Sequence, residues 1–93
     1  MIDLDLHRIH VFVAVVKNKG YAPSARALGI DDRRLSHAVI MLEKSLGVRL
    51  INRSTRYKGL TWQGKAYYSH MAPLLDRLQA AIEDIRSREV LNK

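Results

Sequence analysis

The chain contains no cysteine among its 93 residues, and only two prolines, one tryptophan and one phenylalanine. Without cysteine, neither a disulfide framework nor a thiolate-ligated metal site can form. Long apolar segments are also missing: the longest, residues 11–16, is far too short to cross a bilayer. The acidic start, residues 1–5, is unlike a secretory signal peptide. These absences fit a protein of a reducing compartment with no membrane association.

Acidic residues are also scarce, with nine against sixteen basic ones, and the formal net charge is +7. The excess is concentrated in residues 31–61, which hold three acidic residues and these basic ones: Arg33, Arg34, Lys44, Arg49, Arg53, Arg56 and Lys58. A local basic excess is what neutralisation of phosphates requires. A solvated basic surface explains the charge about equally well, so charge alone leaves both interpretations open.

Hydrophobic residues make up 47% of the chain, which is enough to build one compact domain with an appended element. Asp5 suits the N-cap of a first helix that extends to about Lys17. Residues 18–20 then break the helical pattern. A second, short helix is predicted to begin at Pro23 and to end at Gly29, which favours a left-handed C-cap.

A third helix is predicted from Asp32 to about Ser45, with Asp31 as its N-cap. Its apolar positions fall on one side, which we expect to face the core: Leu35, Val39, Leu42 and Leu46. The opposite side carries Arg33, Ser36, His37 and Ile40. A short helix, a glycine turn and an amphipathic helix form a helix-turn-helix pattern, in which the start of the second helix reaches base edges.

The segment after Gly47 predicts a β-hairpin with strands at residues 48–51 and 58–60 around a polar tip at 52–57. The tip carries Arg53 and Arg56. Beside a helix-turn-helix, such a wing contacts the DNA backbone or the minor groove, where arginine is favoured. We prefer this interpretation to an ordinary hairpin with solvated arginines.

A long helix is predicted from Trp62 to about Arg88, capped by Thr61. Its apolar seam alternates by four and three, as in a coiled coil: Met71, Leu75, Leu78, Ile82 and Ile85. Its length, about 40 Å, exceeds the about 27 Å breadth of a sixty-residue domain. The helix must therefore project, and we expect the seam to mediate dimerisation. Trp62 is expected to pack against the wing.

Taken together, these elements make the chain resemble the N-terminal DNA-binding domain of LysR-type transcriptional regulators. The resemblance extends from about Leu4 to about Ser87 and rests on these residues: Phe12-Val13-Ala14-Val15, Gly20-Tyr21, Ser24-Ala25, Leu28, Ile30, Leu35-Ser36, Leu42-Glu43, Leu46-Gly47-Val48, Leu50, Arg53-Ser54-Thr55-Arg56, Leu60-Thr61 and Gly64. No single element is specific, but the ordered set is.

The resemblance implies a mainly α fold: a winged helix-turn-helix of three helices and a two-stranded β wing in residues 1–61, then a linker and dimerisation helix in 62–93. It implies transcriptional regulation rather than enzyme activity, no cofactor, a homodimer with antiparallel linker helices, and a place at the bacterial nucleoid in the cytoplasm. From the same resemblance, contact with RNA polymerase is an expectation for the intact regulator only. Nothing here corresponds to the family's effector-binding domain, so we expect a DNA-binding fragment or a natural truncation.

The resemblance places the third helix in the major groove and the wing on the minor groove. Together with the pattern it assigns DNA contacts to Pro23, Asp32, Arg33, Arg34, Ser36, His37, Ile40, Arg53, Ser54, Thr55, Arg56 and Lys58. For Ser36 it suggests a hydroxyl contact with a phosphate or base.

The chain departs from the family where specificity is set. The family usually begins its recognition helix Ser-Gln-Pro-Ala, and residues 31–34 here read Asp-Asp-Arg-Arg. Asp32 replaces a glutamine that often reads a base; a carboxylate accepts from cytosine N4 but is repelled by phosphates. His37 stands where arginine is frequent, and Ala22 replaces a threonine that caps the second helix and touches the backbone. We expect a changed operator on an unchanged fold.

Four other interpretations are compatible with parts of the sequence. His7 and His10 are spaced to share a metal, but no acidic or cysteine cluster completes a site, which favours surface histidines. No phosphate loop or nucleophile motif indicates catalysis. A helical dimer whose basic surface binds an acidic protein stays open, and salt dependence with preference for one duplex distinguishes it from a DNA reader. A different winged-helix family is disfavoured by the linker-helix start at residues 60–64.

Overall fold

The computed structural model describes the backbone of residues 5–53 and 57–91, and the side chains of residues 5–52 and 59–88. Its elements follow in the order α1 (Leu6–Asn18), α2 (Tyr21–Leu28), α3 (Asp32–Leu46), β1 (Ile51–Arg53), β2 (Tyr57–Leu60) and α4 (Trp62–Leu91). The two strands form one antiparallel sheet in which Ile51 pairs with Leu60. The prediction of a mainly α, winged helix-turn-helix fold is confirmed.

The predicted N-caps of α1, α3 and α4 are present. The Asp5 carboxylate accepts from the Arg8 backbone N–H at 3.2 Å, and the Asp31 carboxylate from the Arg34 N–H at 2.9 Å. The Thr61 hydroxyl accepts from the Gly64 N–H at 2.9 Å. Each bond satisfies one of the N–H groups that the first turn of a helix leaves without a partner.

The start of α2 differs from the sequence prediction. The helix begins at Tyr21, two residues before Pro23, and its N-cap is Gly20, which offers no side chain. The predicted start was wrong because none of the first helical N–H groups has an intrahelical partner, so proline is tolerated throughout the first turn. Ala22 accordingly lies inside the helix and not at its cap.

The first strand also starts later than predicted, at Ile51 and not at residue 48. Residues 48–50 are held by other partners: the Val48 N–H donates to the Glu43 carbonyl at 3.3 Å, and the Leu50 N–H donates to the Glu43 carboxylate at 2.7 Å. The Leu50 carbonyl accepts from the Thr61 N–H at 3.0 Å. Residues 48–50 are thus held by α3 and by Thr61 before the strand begins at Ile51.

The core is centred on α1, which contributes residues that are almost fully buried: Ile9, Val11, Phe12, Val13 and Val15. Helix α3 adds Leu35, Val39 and Leu42, and the segment after it adds Leu50 and Ile51. Leu46 was expected in this core but is 40% exposed. It is the last residue of α3, where the chain turns away at Gly47, which is left-handed with φ 74°.

The first half of α4 belongs to this core. Tyr67, Met71 and Leu75 are partly buried against it, and the Tyr67 ring lies 5.8 Å from the Phe12 ring. Burial raises the pKa of the Tyr67 hydroxyl above its ordinary value of 10.0, so the side chain is neutral at physiological pH. An ion pair of 3.7 Å between Lys17 and Asp76 adds to the contact of α4 with α1.

None of the described helices is both long and apolar enough to cross a membrane.

Candidate nucleic-acid interface

The outer face of α3 is the candidate reading surface. Arg33 and His37 are exposed, Ser36 and Ile40 are half-buried, and these residues are called the recognition face. At 3.6 residues per turn they fall within a sector of about 100°. Leu35, Ala38, Val39 and Leu42 are buried on the opposite side and seal α3 onto α1 and α2. The core thus fixes the position of α3, and the polar side chains of α3 point outward.

The charges at the start of α3 suit an approaching phosphate backbone. Among the described residues, the Arg33 guanidinium has no ion-pair partner. Arg34 makes a loose pair with Asp31 at 3.9 Å, and both side chains are largely exposed, so water weakens that pair and leaves Arg34 available. Asp32 is exposed in the first turn, where the helix dipole stabilises a carboxylate.

Around the helix, Asp32 and Arg34 flank the recognition face and do not lie on it. Each is offset by about 100° from Arg33, because successive helical residues rotate by that angle. The structure therefore brings Arg33, Ser36, His37 and Ile40 together, with Asp32 on one edge and Arg34 on the other. Pro23, the predicted contact from α2, is half-buried in the first turn of that helix.

Lys44 and Arg49 were not assigned to the site from the sequence, although both were counted in the basic segment. An open cleft at the carboxyl end of α3 is lined by Ile40, Glu43, Lys44, Gly47, Val48 and Arg49. Both basic side chains are exposed. Lys44 lies eleven residues after Arg33, so it continues the recognition face about 16 Å further along the helix. The eleven-residue spacing between Arg33 and Lys44 was the feature of the sequence that could have identified Lys44.

The wing is described by its backbone. The antiparallel pairing of β1 with β2, in which Arg53 pairs with Tyr57, confirms the hairpin. The predicted DNA-contacting side chains of Arg53, Ser54, Thr55, Arg56 and Lys58 lie outside the described residues. Their assignment to the minor groove stays a prediction.

Trp62 does not pack against the rest of the described structure in the expected way, because its side chain is 75% exposed. It occupies the first position of α4, whose first turn also carries the buried Gly64 two residues later. The inward side of that turn is occupied by backbone, which leaves the tryptophan on the outside. The expectation that it packs on the wing was wrong.

The apolar seam of α4 divides into two parts. Met71 and Leu75 are partly buried against the core of their own domain, whereas Leu78, Ile82 and Ile85 are 42%, 39% and 64% exposed. Leu78 and Ile82 also line a groove between α1 and α4, together with Leu6, His7, His10, Val13 and Leu75. Only the second half of the predicted seam presents apolar surface to solvent.

Comparison with known proteins relates this architecture to one family. The model of the bacterial regulatory helix-turn-helix protein, lysR family, matches residues 6–65. The transcriptional regulator TtuA of Agrobacterium vitis is 37% identical over 86 residues, which make up 92% of this chain and 28% of that protein. The chain thus spans less than a third of the length of this curated relative.

Two solved structures share the fold. Full-length AphB of Vibrio cholerae, a virulence activator, superposes with a TM-score of 0.81 at 32% identity, covering 89% of this chain and 29% of AphB. The DNA-binding domain of BenM, in its complex with catB site 1 DNA, superposes with a TM-score of 0.82 at 27% identity. That match covers 90% of this chain and 93% of the BenM domain.

Proposed function

The chain belongs to the LysR family of bacterial helix-turn-helix regulators, and from this premise we propose that it binds double-stranded DNA in a sequence-specific manner to control transcription. In this proposal α3 enters the major groove, and Arg33, Ser36, His37 and Ile40 approach base edges. The wing residues lie on the minor groove or the backbone.

The observation that carries the proposal is the two-sided character of α3. Its inner side, with Leu35, Val39 and Leu42, is buried in the core, and its outer face carries the exposed Arg33 and His37 beside the half-buried Ser36 and Ile40. A rigid helix with an unobstructed face fits the major groove, which admits one α-helix. Arg33 suits a guanine, because its planar guanidinium matches the O6 and N7 acceptors.

The phosphate contacts are proposed near the two ends of α3. Arg34 at the start of α3 and Lys44 near its end lie about 15 Å apart along the helix axis. With Arg49 and the wing, they extend the positive surface beyond the bases. Such contacts fix the register of the protein on the duplex and carry no sequence information themselves.

We also propose a homodimer held by α4. The exposed part of the seam, Leu78, Ile82 and Ile85, lies on the stretch of helix that leaves the domain. Burying these side chains against a second copy stabilises the pair through the hydrophobic effect. Residues 1–61 then read DNA and 62–93 pair the subunits, although residues 67–75 of the second segment also pack on the reading domain.

The setting we propose is the bacterial cytoplasm, at the nucleoid. Effector sensing and contact with RNA polymerase are assigned to the whole regulator and not to the described residues. The BenM domain supports the DNA assignment, since it shares this fold while bound to DNA.

Selection from a random duplex library with the wild-type chain tests the proposed function. We expect one motif to be enriched, and the selected duplex to bind at least about a thousandfold more tightly than a scrambled one at physiological salt. If scrambled and selected duplexes bind equally well, the chain is a basic interaction module and the proposal fails.

A further inference from the structure

Glu43 is a buried carboxylate in the last turn of α3, with only 8% of its surface exposed. Its side-chain Oε2 accepts from the Leu50 N–H at 2.7 Å and from the Ile51 N–H at 3.1 Å. Its backbone carbonyl accepts from the Gly47 N–H at 2.8 Å and from the Val48 N–H at 3.3 Å. One residue of the recognition helix therefore holds four backbone amides of the segment that leads to the wing.

The carboxylate is well suited to this role. A buried charge is costly unless hydrogen bonds compensate it, and bonds from N–H groups to a carboxylate are shorter and stronger than neutral ones. Leu50 and Ile51 are themselves fully buried, so the bonds are shielded from competing water. The Glu43 carboxylate thus ties the end of α3 to the start of β1.

The same segment is attached to α4 from its other side. The Leu50 carbonyl accepts from the Thr61 N–H at 3.0 Å, and the Thr61 hydroxyl donates to the Arg49 carbonyl at 2.6 Å. Gly64 allows α4 to come this close: a Cβ there would collide with the Leu50 carbonyl oxygen and lie 2.8 Å from its carbon. The peptide groups of Leu50 are therefore held by α3 through nitrogen and by α4 through oxygen.

We propose that Glu43 and Thr61, acting through the backbone of Leu50, are positioning residues that set the angle between α3 and α4 and thereby the half-site spacing that a dimer accepts. This inference rests on the proposed function, since it presumes two DNA-reading domains joined by their α4 helices. Glu43 and Thr61 with the Leu50 backbone are called the clasp. Neither side chain needs to touch DNA.

The geometry makes spacing sensitive to the clasp. The part of α4 beyond its first turns is a lever of about 30 Å, from about 20 residues at 1.5 Å each. A tilt of about 6° at its base moves the far end by about 3 Å, which is close to the ~3.4 Å between successive bases of a strand. Half-site spacing in a two-fold dimer is a geometric consequence of how the recognition helices are held apart.

The test uses Glu43→Gln, which keeps the size of the side chain and removes its charge, and compares duplexes that differ only in the spacer between two selected half-sites. We expect the wild type to favour one spacer by about tenfold over its neighbours, and the variant by about threefold or less. The order of preference among half-site sequences should not change, because the recognition face is intact.

Glu83→Gln is the matched control, since Glu83 is exposed on α4 and lies outside the clasp. If Glu43→Gln fails to fold, as judged by circular dichroism, Thr61→Val decides the question: it keeps the Thr61 N–H bond to Leu50 but removes the hydroxyl that donates to the Arg49 carbonyl and so weakens the attachment of this segment to α4. Equal weakening on every spacer, with the wild-type preference kept, would overturn the inference and leave Glu43 a structural residue. A wild type that selects no duplex at all would instead refute the proposed function.

Discussion

Individual side chains at the start of α3 combine a structural task with a reading task. Asp31 caps the helix by accepting from the Arg34 N–H, and this bond orients the first turn that carries Arg33. Because Asp31 supplies the cap, Asp32 is free to act outside the helix, where it is exposed. Of the two consecutive aspartates, Asp31 therefore caps the helix, whereas we propose that Asp32, at the edge of the recognition face, contacts DNA.

Substituting either reading residue should change which base is preferred. Arg33→Ala removes a side chain suited to guanine, and Asp32→Ala removes an acceptor suited to cytosine N4. We expect each change to shift discrimination at one position by about 1–3 kcal/mol. Repeating the library selection with each variant measures this.

Arg86→Ala is the matched control for Arg33→Ala, since Arg86 is exposed on α4 far along the chain from the recognition face. It removes one positive charge and should leave the selected motif unchanged. If Arg33→Ala and Asp32→Ala also enrich the wild-type motif, these residues do not read bases.

At the scale of elements, the helices were predictable and the connections were less so. The caps Asp5, Asp31 and Thr61 are local signals, because each satisfies an N–H only three residues away. The start of β1 was less predictable, because residues 48–50 are held by Glu43 of the preceding helix and by Thr61 beyond the hairpin, contacts that no local pattern marks. The recognition face was predicted by helical periodicity, whereas Lys44 was missed because the site was confined to the helix start.

Helix α4 shows a similar limit of prediction from the sequence. The spacing of the seam correctly marked one apolar side, but periodicity cannot tell which of two surfaces covers it. Met71 and Leu75 pack on the chain's own core, and only Leu78, Ile82 and Ile85 are exposed. Trp62 was misplaced for a related reason, since the close approach of Gly64 to Leu50 becomes evident only in three dimensions.

The exposed part of the seam gives a prediction for α4. Leu78→Asp should yield monomers in sedimentation experiments, because pairing would bury an uncompensated charge. The fold of the domain should persist, since Leu78 is already 42% exposed in the single chain. Weakened binding to a two-half-site duplex should accompany the loss of the dimer.

Ala80→Asp is the matched control on the same helix. Ala80 is exposed and lies about 200° around α4 from Leu78, so it faces away from the seam. We expect this variant to sediment like the wild type. A Leu78→Asp variant that remains dimeric would place the interface elsewhere.

At the scale of the whole molecule, the fold is an elongated body of 53 × 32 × 19 Å, and the surfaces proposed to read DNA and to pair subunits lie on different parts of it. The core around α1 holds the recognition helix, and the first half of α4 docks on the same core. The clasp is a second connection between α3 and α4, in addition to the shared core. In the proposed dimer, this arrangement would convert a contact on α4 into a fixed placement of two α3 helices on a duplex.

The most direct test of the major-groove assignment replaces each guanine of the selected half-site, in turn, by an analogue that lacks the N7 acceptor. The substitution alters the major groove and leaves the minor groove and phosphates unchanged. We predict that at one guanine the wild type loses about 1–3 kcal/mol of binding free energy, while Arg33→Ala loses almost nothing further at that position. Equal losses for wild type and Arg33→Ala at every guanine, or no loss at any, would contradict the placement of Arg33 against bases in the major groove.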